Sequence, residues 1–300
     1  MRTIEPAPPL PGWLRRELPY DRYVVRIQGE RVTFVDHGPR DARPVLLVHG
    51  NPTWSFLWRK VIRALDDGRF RLIAPDLVGF GTSDKPRMAA DHQLAMHVQK
   101  IECLVEELDL SRFVAVGQDW GGPIAMGTAR RLADRVGGIV IANTSVLEPV
   151  RPFRSTPFHR FARMPVLSDL AFRGALFPVP VMDRAQGDRS SLGWREKAAY
   201  AWPLVKPLDR AGPIGLARMV PDSEAHPSTA VLDAIGAWVR AYRGPAALVW
   251  GRRDPILGRA LARHREALPQ ASVRECDAGH FLQEEVPELF AEAIREVAGA

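Results

Sequence analysis

A mostly parallel α/β sheet, covered by helices on both faces and interrupted by a helical insertion, is the fold class this sequence predicts. Three observations carry it. Short apolar runs of strand length alternate with segments of helical period through the first half of the chain. Between about residues 145 and 217 the alternation stops, prolines crowd in, and no buried strand is visible. From about residue 218 strand and helix signals alternate again. The expected division is a core domain, 1–144 and 218–300, with a helical cap, 145–217.

The elements follow in order. Tyr23–Ile27 and Val32–Val35 alternate like a hairpin at a sheet edge. Val45–Val48 is an apolar run suited to a buried parallel strand, and it ends at His49-Gly50. A helix is expected around Phe56–Leu65, a strand at Leu72–Ala74 and a helix over His97–Leu108. Phe113–Val116 is the next strand, and Gly121–Met126 opens a helix with small residues. Ile139–Ala142 is the last strand before the insertion, whose clearest helix is Trp194–Trp202. Beyond it the pattern predicts a helix at Ser228–Tyr242, a strand at Ala246–Trp250, a helix at Arg259–Ala267, a strand at Ser272–Cys276 and a final helix at Pro287–Val297.

Composition narrows the class of function. Three hundred residues suffice for a large core. The formal charge of +6 is spread along the chain without a polybasic block, so neither a nucleic-acid nor a membrane partner is expected. No stretch approaches the ~20 apolar residues of a membrane span, and Met1–Leu10 lacks the apolar core of an export signal. Cys103 and Cys276 make no disulfide framework and no zinc-ligand spacing, so no metal is expected. These features favour a cytoplasmic protein.

Chemistry concentrates at Gly117-Gln118-Asp119-Trp120-Gly121. A nucleophile flanked by small residues, between a strand and a helix, is the pattern of a nucleophile elbow, with Asp where Ser usually stands. A serine needs a base before it attacks. An aspartate, with a reference pKa of ~4, is ionised near neutral pH and can displace a leaving group from saturated carbon, forming an ester to the protein. The substitution points away from ordinary ester hydrolysis and toward opening a carbon–halogen bond or an epoxide.

Two further residues join it at strand ends, where open parallel sheets gather functional groups. His280 lies in Asp277-Ala278-Gly279-His280-Phe281, and Asp254 in Gly251-Arg252-Arg253-Asp254-Pro255. Nucleophile, acid, histidine is the chain order of the α/β-hydrolase fold. There the loop after an earlier strand and the residue after the nucleophile supply the oxyanion N–H groups; here these are Asn51, in His49-Gly50-Asn51-Pro52, and Trp120. Both also carry side-chain N–H donors suited to a departing anion in a dry pocket.

The chain resembles the haloalkane dehalogenases over nearly its whole length. The matching segments are HGNPTWSFLWR at 49–59, RLIAPDLVGFGTSDKP at 71–86, GQDWGG at 117–122 and DAGHFLQEE at 277–285, with GRRDPILG at 251–258 resembling the family's acid loop. The resemblance implies Asp119 as nucleophile, His280 as base, Asn51 and Trp120 as halide donors, a small halogenated hydrocarbon, halide and water as reactants and products, and no cofactor. Branches of the family carry the acid either as Glu after the sixth strand or as Asp after the seventh. The first position reads Ile141-Ala142-Asn143-Thr144, without a carboxylate. Asp254 fills the second and is the assigned acid, with Glu148, in the expected cap hinge, as a distant alternative. The branch implied combines that Asp with Asn and Trp donors; Trp194 and Trp202 leave room for a cap Trp donor, the alternative being that both pack the cap helices.

Three other readings share the framework. An epoxide hydrolase uses an elbow Asp but needs acids on the epoxide oxygen, normally two cap tyrosines, and only Tyr200 falls in the cap. Coelenterazine luciferases are similar by motif. A non-catalytic small-molecule receptor could retain the same residues. Phe153, Phe172, Leu176, Phe177, Val181 and Leu204 are candidate apolar pocket residues.

Overall fold

A computed structural model describes residues 3–153 and 156–299, so Met1, Arg2, Arg154, Ser155 and Ala300, all within the expected domain spans, lie outside the described residues. The sheet has nine strands: β1 (Ile4–Pro6), β2 (Arg22–Ile27), β3 (Glu30–His37), β4 (Arg43–Val48), β5 (Phe70–Pro75), β6 (Phe113–Gln118), β7 (Val136–Ala142), β8 (Ala246–Gly251) and β9 (Ser272–Cys276), in spatial order β1-β2-β3-β5-β4-β6-β7-β8-β9. β1 through β3 pair antiparallel, β3 joins β5 antiparallel, and the six strands from β5 to β9 run parallel.

The apolar runs behave as a doubly covered sheet requires. Every residue of β5, β6 and β8 is buried, because helices close both faces and leave no polar side. β2 keeps three of its six residues half-buried and one exposed, as an outer strand does. The sequence missed only β1, three exposed residues that pair with β2 and extend the edge; without an apolar side chain to bury, it has no period to read. Counting it, the strand that precedes Asp254 is β8. Helices Leu94–Glu107, Gly121–Arg131 and Pro227–Ala241 pack together over one part of the sheet, and Pro287–Ala298 lies on β7 and β8.

Boundaries shift by a few residues from expectation. The Phe56–Leu65 segment divides into a tight turn of helix at Ser55–Trp58 and an α-helix at Arg59–Ala64, and Trp194–Ala201 ends one residue early. Between β7 and β8 the described residues hold helices alone. Those from Pro157 to Arg218 are eight residues or shorter, in keeping with the prolines that interrupt them.

This insertion is bolted to the core by named contacts. Trp54 Nε1 donates to Ala199 O at 3.1 Å. Arg59 grips the buried Glu284 with two bonds of 2.6 and 2.9 Å, and Tyr200 Oη donates to the same carboxylate at 2.6 Å. Gln186 exchanges both amide bonds with the Phe281 backbone, at 2.9 and 3.2 Å.

Candidate active site

The functional side chains stand at the carboxyl ends of β4, β6, β8 and β9, where the parallel strands point their last residues into the crevice beneath the insertion. Asp119 follows β6 and has φ +52°, a left-handed conformation that a non-glycine residue adopts only when its surroundings enforce it. The surroundings are glycines. A Cβ at Gly117 would strike the Gly121 backbone, and one at Gly121 would strike the Val48 carbonyl. A Cβ at Gly50 would strike the Asp119 carboxylate itself. The missing side chains let β6, β4 and the Gly121–Arg131 helix close on one another, lifting Asp119 above the sheet.

Asp119 Oδ1 accepts the Asn51 backbone N–H at 2.7 Å. Its other oxygen, Oδ2, lies 3.5 Å from His280 Nε2. His280 Nδ1 donates to Asp254 Oδ2 at 2.9 Å. Asp119 keeps 15 % of its side chain exposed, against 2 % for His280 and none for Asp254. Asp119 alone of the three reaches open space, while His280 and Asp254 are sealed behind it.

Charge is distributed accordingly. Burial favours a neutral His280, but the Asp254 and Asp119 carboxylates outweigh it and push its pKa up to about 10. Burial likewise raises Asp254, yet the His280 charge and the backbone N–H groups of Ile256 and Leu257 leave it below its usual value. The resting site is an imidazolium between two carboxylates.

The structure brings Asp119, His280, Asp254 and the Asn51 N–H together, as expected. Glu148 stands apart from them: its side chain turns to Arg240, at 3.1 and 3.2 Å. The structure also redirects the Asn51 side chain. Nδ2 donates to Pro213 O at 3.0 Å, which ties the residue to helix Ala211–Arg218, and Oδ1 is buried without a partner among the described residues. Trp120, half-buried on the core, makes no hydrogen bond through Nε1 among the described residues, so that donor is free.

The two tryptophans of the insertion stand differently. Trp194 is 75 % exposed beneath Arg195, and Trp202 packs on Trp54. Tyr200 is fully buried and committed to Glu284, so it has no free hydroxyl for an epoxide oxygen. Phe172 and Phe177 form an aromatic cluster with Phe158 and Phe161, and Phe153 lies under Arg151 at the hinge. A surface groove of about 380 Å³ between helices Gly12–Glu17 and Trp194–Ala201 contains none of the convergent groups and is not this site.

Three residues escaped the sequence reading. Asn143 occupies the alternative acid position, and its amide is the hub of the site. Nδ2 donates to Asp254 Oδ2 at 2.8 Å and to Gly279 O at 3.1 Å, while Oδ1 accepts from Gly251 N at 2.8 Å. Its carbonyl accepts the Asp119 N–H at 3.1 Å. The absent carboxylate was the visible signal; that an amide there could serve the acid on the next strand was not. His49 is fully buried and held near a pKa of about 4 by that burial. It accepts the Leu77 N–H on Nε2 at 2.9 Å and donates from Nδ1 to Gly50 O at 2.9 Å, fixing the loop that carries Asn51. His159, in cap helix Pro157–Ala162, is close enough for the Asp119 charge to act on it, while burial and then Arg163 hold its pKa below the usual value.

Comparisons with known proteins bear on the family and the fold. Residues 43–287 match the family model described as alpha/beta hydrolase fold. The haloalkane dehalogenase of Mycobacterium marinum is 35% identical over 277 residues, covering 88% of this chain and 87% of its own. Haloalkane dehalogenase 2 of Mycobacterium tuberculosis is 35% identical over 279 residues, covering 90% and 92%. Among solved structures, haloalkane dehalogenase DbeA from Bradyrhizobium elkani superposes with a TM-score of 0.83 at 26% identity, over 93% of this chain and 98% of that one.

Proposed function

The chain belongs to the haloalkane dehalogenases of the α/β-hydrolase fold, and from that premise we propose that it hydrolyses haloalkanes to alcohol, halide and a proton through an ester on Asp119. It is a hydrolase acting on carbon–halide bonds, and the epoxide hydrolase reading is not favoured. The observation that carries the mechanism is a strained elbow carboxylate whose Oδ1 accepts the Asn51 N–H at 2.7 Å and whose Oδ2 has only the longer 3.5 Å contact to His280 Nε2.

Oδ1, held by the Asn51 N–H, becomes the ester carbonyl oxygen. Oδ2 attacks the carbon, the carbon–halogen bond breaks, and the halide leaves with the electron pair. Trp120 Nε1 and the second N–H of the Asn51 amide stabilise that halide. Water, deprotonated by His280, then attacks Cγ of the ester. Negative charge gathers on Oδ1, where the Asn51 and Trp120 backbone N–H groups stabilise it; one such donor is worth ~3 kcal/mol in a comparable hydrolase. The intermediate collapses as the Cγ–Oδ2 bond breaks: the alcohol leaves with Oδ2 and the proton of the new hydroxyl, the water oxygen completes the restored carboxylate, and His280 keeps the proton taken from water. Asp254 orients the imidazole and stabilises its cation. No step calls on a cofactor. The reading divides the chain into a core, 1–144 and 218–300, and a cap, 145–217, and places it in the cytoplasm, in keeping with the two unpaired cysteines.

The test is the His280→Ala variant. It retains the nucleophile and loses the base, so incubation with 1-bromobutane is expected to leave one butyl adduct on Asp119, seen by intact-protein mass spectrometry and peptide mapping. Turnover at the wild-type rate, or an adduct elsewhere, sinks the mechanism.

A further inference from the structure

Nine of the thirteen large apolar side chains that stand exposed among the described residues belong to residues 145–217. Six of the exposed side chains lie on three segments that are tied together: Met88, then Val166, Leu167 and Leu170, then Val205 and Leu208, each 48–70 % exposed. Two arginines join the segments. Arg173 Nη2 donates to Arg87 O at 2.9 Å, drawing the Met88 loop against helix Leu170–Gly174. Arg210 donates to the carbonyls of Arg173, Gly174, Leu204 and Val205, drawing the Val205–Leu208 turn to the end of the same helix.

The exposure is enforced. Val166 has φ +63°, which a β-branched residue adopts only under constraint, and the turn so formed presents Val166 outward at 70 % exposure. Contiguous apolar surface of this kind marks an interaction site.

Charge selects the partner. Residues 145–217 hold eleven Arg or Lys and six Asp or Glu, so this span carries five of the chain's six net positive charges. Beside Met88 and Val205 the exposed Arg87 and Lys206 have no ion pair among the described residues, and Arg160 stands exposed on the adjoining helix Pro157–Ala162; Asp169 is neutralised by Arg173 and Arg218, and Asp91 and Asp209 are the other carboxylates next to these segments. A second copy of the chain would bring an equally basic cap against this one. We infer that this face of the cap docks on an anionic lipid surface, with the apolar side chains entering the headgroup boundary and the cations facing lipid phosphates. No sequence window shows such a surface, because residues 87–88, 160–170 and 205–208 meet only in the fold.

The experiment is co-sedimentation with vesicles of mixed phosphatidylcholine and phosphatidylglycerol, against phosphatidylcholine alone, at low and high salt. Wild-type protein is expected to sediment with the mixed vesicles at low salt and be released by high salt. Replacing Arg87, Arg160 and Lys206 by Gln should weaken partition by about fivefold per cation. Leu170→Glu with Leu208→Glu should abolish it, and the milder Leu170→Ser with Leu208→Ser should reduce it. Trp194→Ala, in the separate groove, should leave it unchanged. These side chains are exposed and outside the proposed machinery, so halide release from soluble 1-bromobutane should be unaffected, which separates failure of docking from failure of the dehalogenase reading. Absence of sedimentation at low salt, equal binding by the Glu variant, or a wild-type dimer that the Glu variant dissolves would overturn the inference, the last by assigning the face to self-association.

Discussion

His280 carries a proton in the resting site, with its pKa pushed up to about 10, yet the proposed hydrolysis needs it neutral. The two demands are reconciled by the first step. Two of the influences that raise His280 come from Asp119, its hydrogen bond and its charge, and both vanish when that carboxylate becomes a neutral ester. Alkylation therefore lowers the His280 pKa, against the continuing pull of Asp254, and favours loss of its proton to create the base; hydrolysis restores the imidazolium with a proton from water. One proton per turnover should appear in solution with ester formation, and stopped-flow with a pH indicator beside halide detection should show the two signals rising together. A proton that appears only with the alcohol rules this out. The same geometry ranks the neighbours of His280. Asp254→Asn should cost several orders of magnitude in turnover by analogy with hydrolase triads, and Glu148→Gln, which touches only the Arg240 pair, should cost little. Asn143→Ala removes donors from Asp254 and Gly279, and a loss of ~1–3 kcal/mol should slow ester hydrolysis roughly ten- to a hundredfold while leaving ester formation nearly unchanged. Equal slowing of both steps would reduce Asn143 to a packing residue.

Elements buried on both faces were legible as apolar runs: β4, β6, β7 and β8 coincide with Val45–Val48, Phe113–Val116, Ile139–Ala142 and Ala246–Trp250. Burial itself writes that signal, so β1, exposed throughout, left none. Asp119, His280 and Asp254 were legible for a different reason, since their roles demand residue type, order and a strand end at once. The Asn51 bond to Pro213, the Asn143 hub and the Tyr200–Glu284–Arg59 cluster were not, because each joins segments tens of residues or more apart through ordinary side chains. That last cluster makes a prediction at the scale of the cap. Tyr200→Phe removes one hydrogen bond from a carboxylate still held by Arg59, and should cost ~1–3 kcal/mol. Glu284→Gln leaves the buried Arg59 cation without its counter-charge, and should cost ~3–5 kcal/mol. Urea unfolding of both variants decides the matter: equal losses would mean that the ion pair contributes nothing beyond the hydroxyl bond.

Across the whole molecule, stability should peak near pH 6.5, because buried histidines pull in opposite directions on either side. Burial holds His49, His92 and His264 at about 4 in the folded protein, against 6.5 when exposed. The unfolded chain therefore takes up these protons first. Their neutral-state stabilisation is complete above pH 6.5, falls as the pH drops from 6.5 to about 4, and levels off where the folded protein also protonates, a loss of roughly 3 kcal/mol for each group. His280 has the opposite sign. Its folded value near 10 exceeds the unfolded one, so its contribution is complete below pH 6.5 and is lost as the pH rises toward 10. Carboxylates whose folded values are lowered, Asp254 among them, lose their contribution only as the pH falls below about 4, so they do not produce the slope between 6.5 and 4. Thermal unfolding between pH 4.5 and 9.5 should give a Tm maximum near neutrality with losses on both flanks. His264→Gln can keep the contact to the Val146 N–H now made by Nε2 while removing the titration, and should flatten the acid flank whatever its effect on absolute Tm. His280→Gln should flatten the alkaline flank alone. A wild-type Tm that stays level from pH 6.5 to 4.5, or an alkaline slope that survives His280→Gln, would show that these buried groups do not govern the pH response.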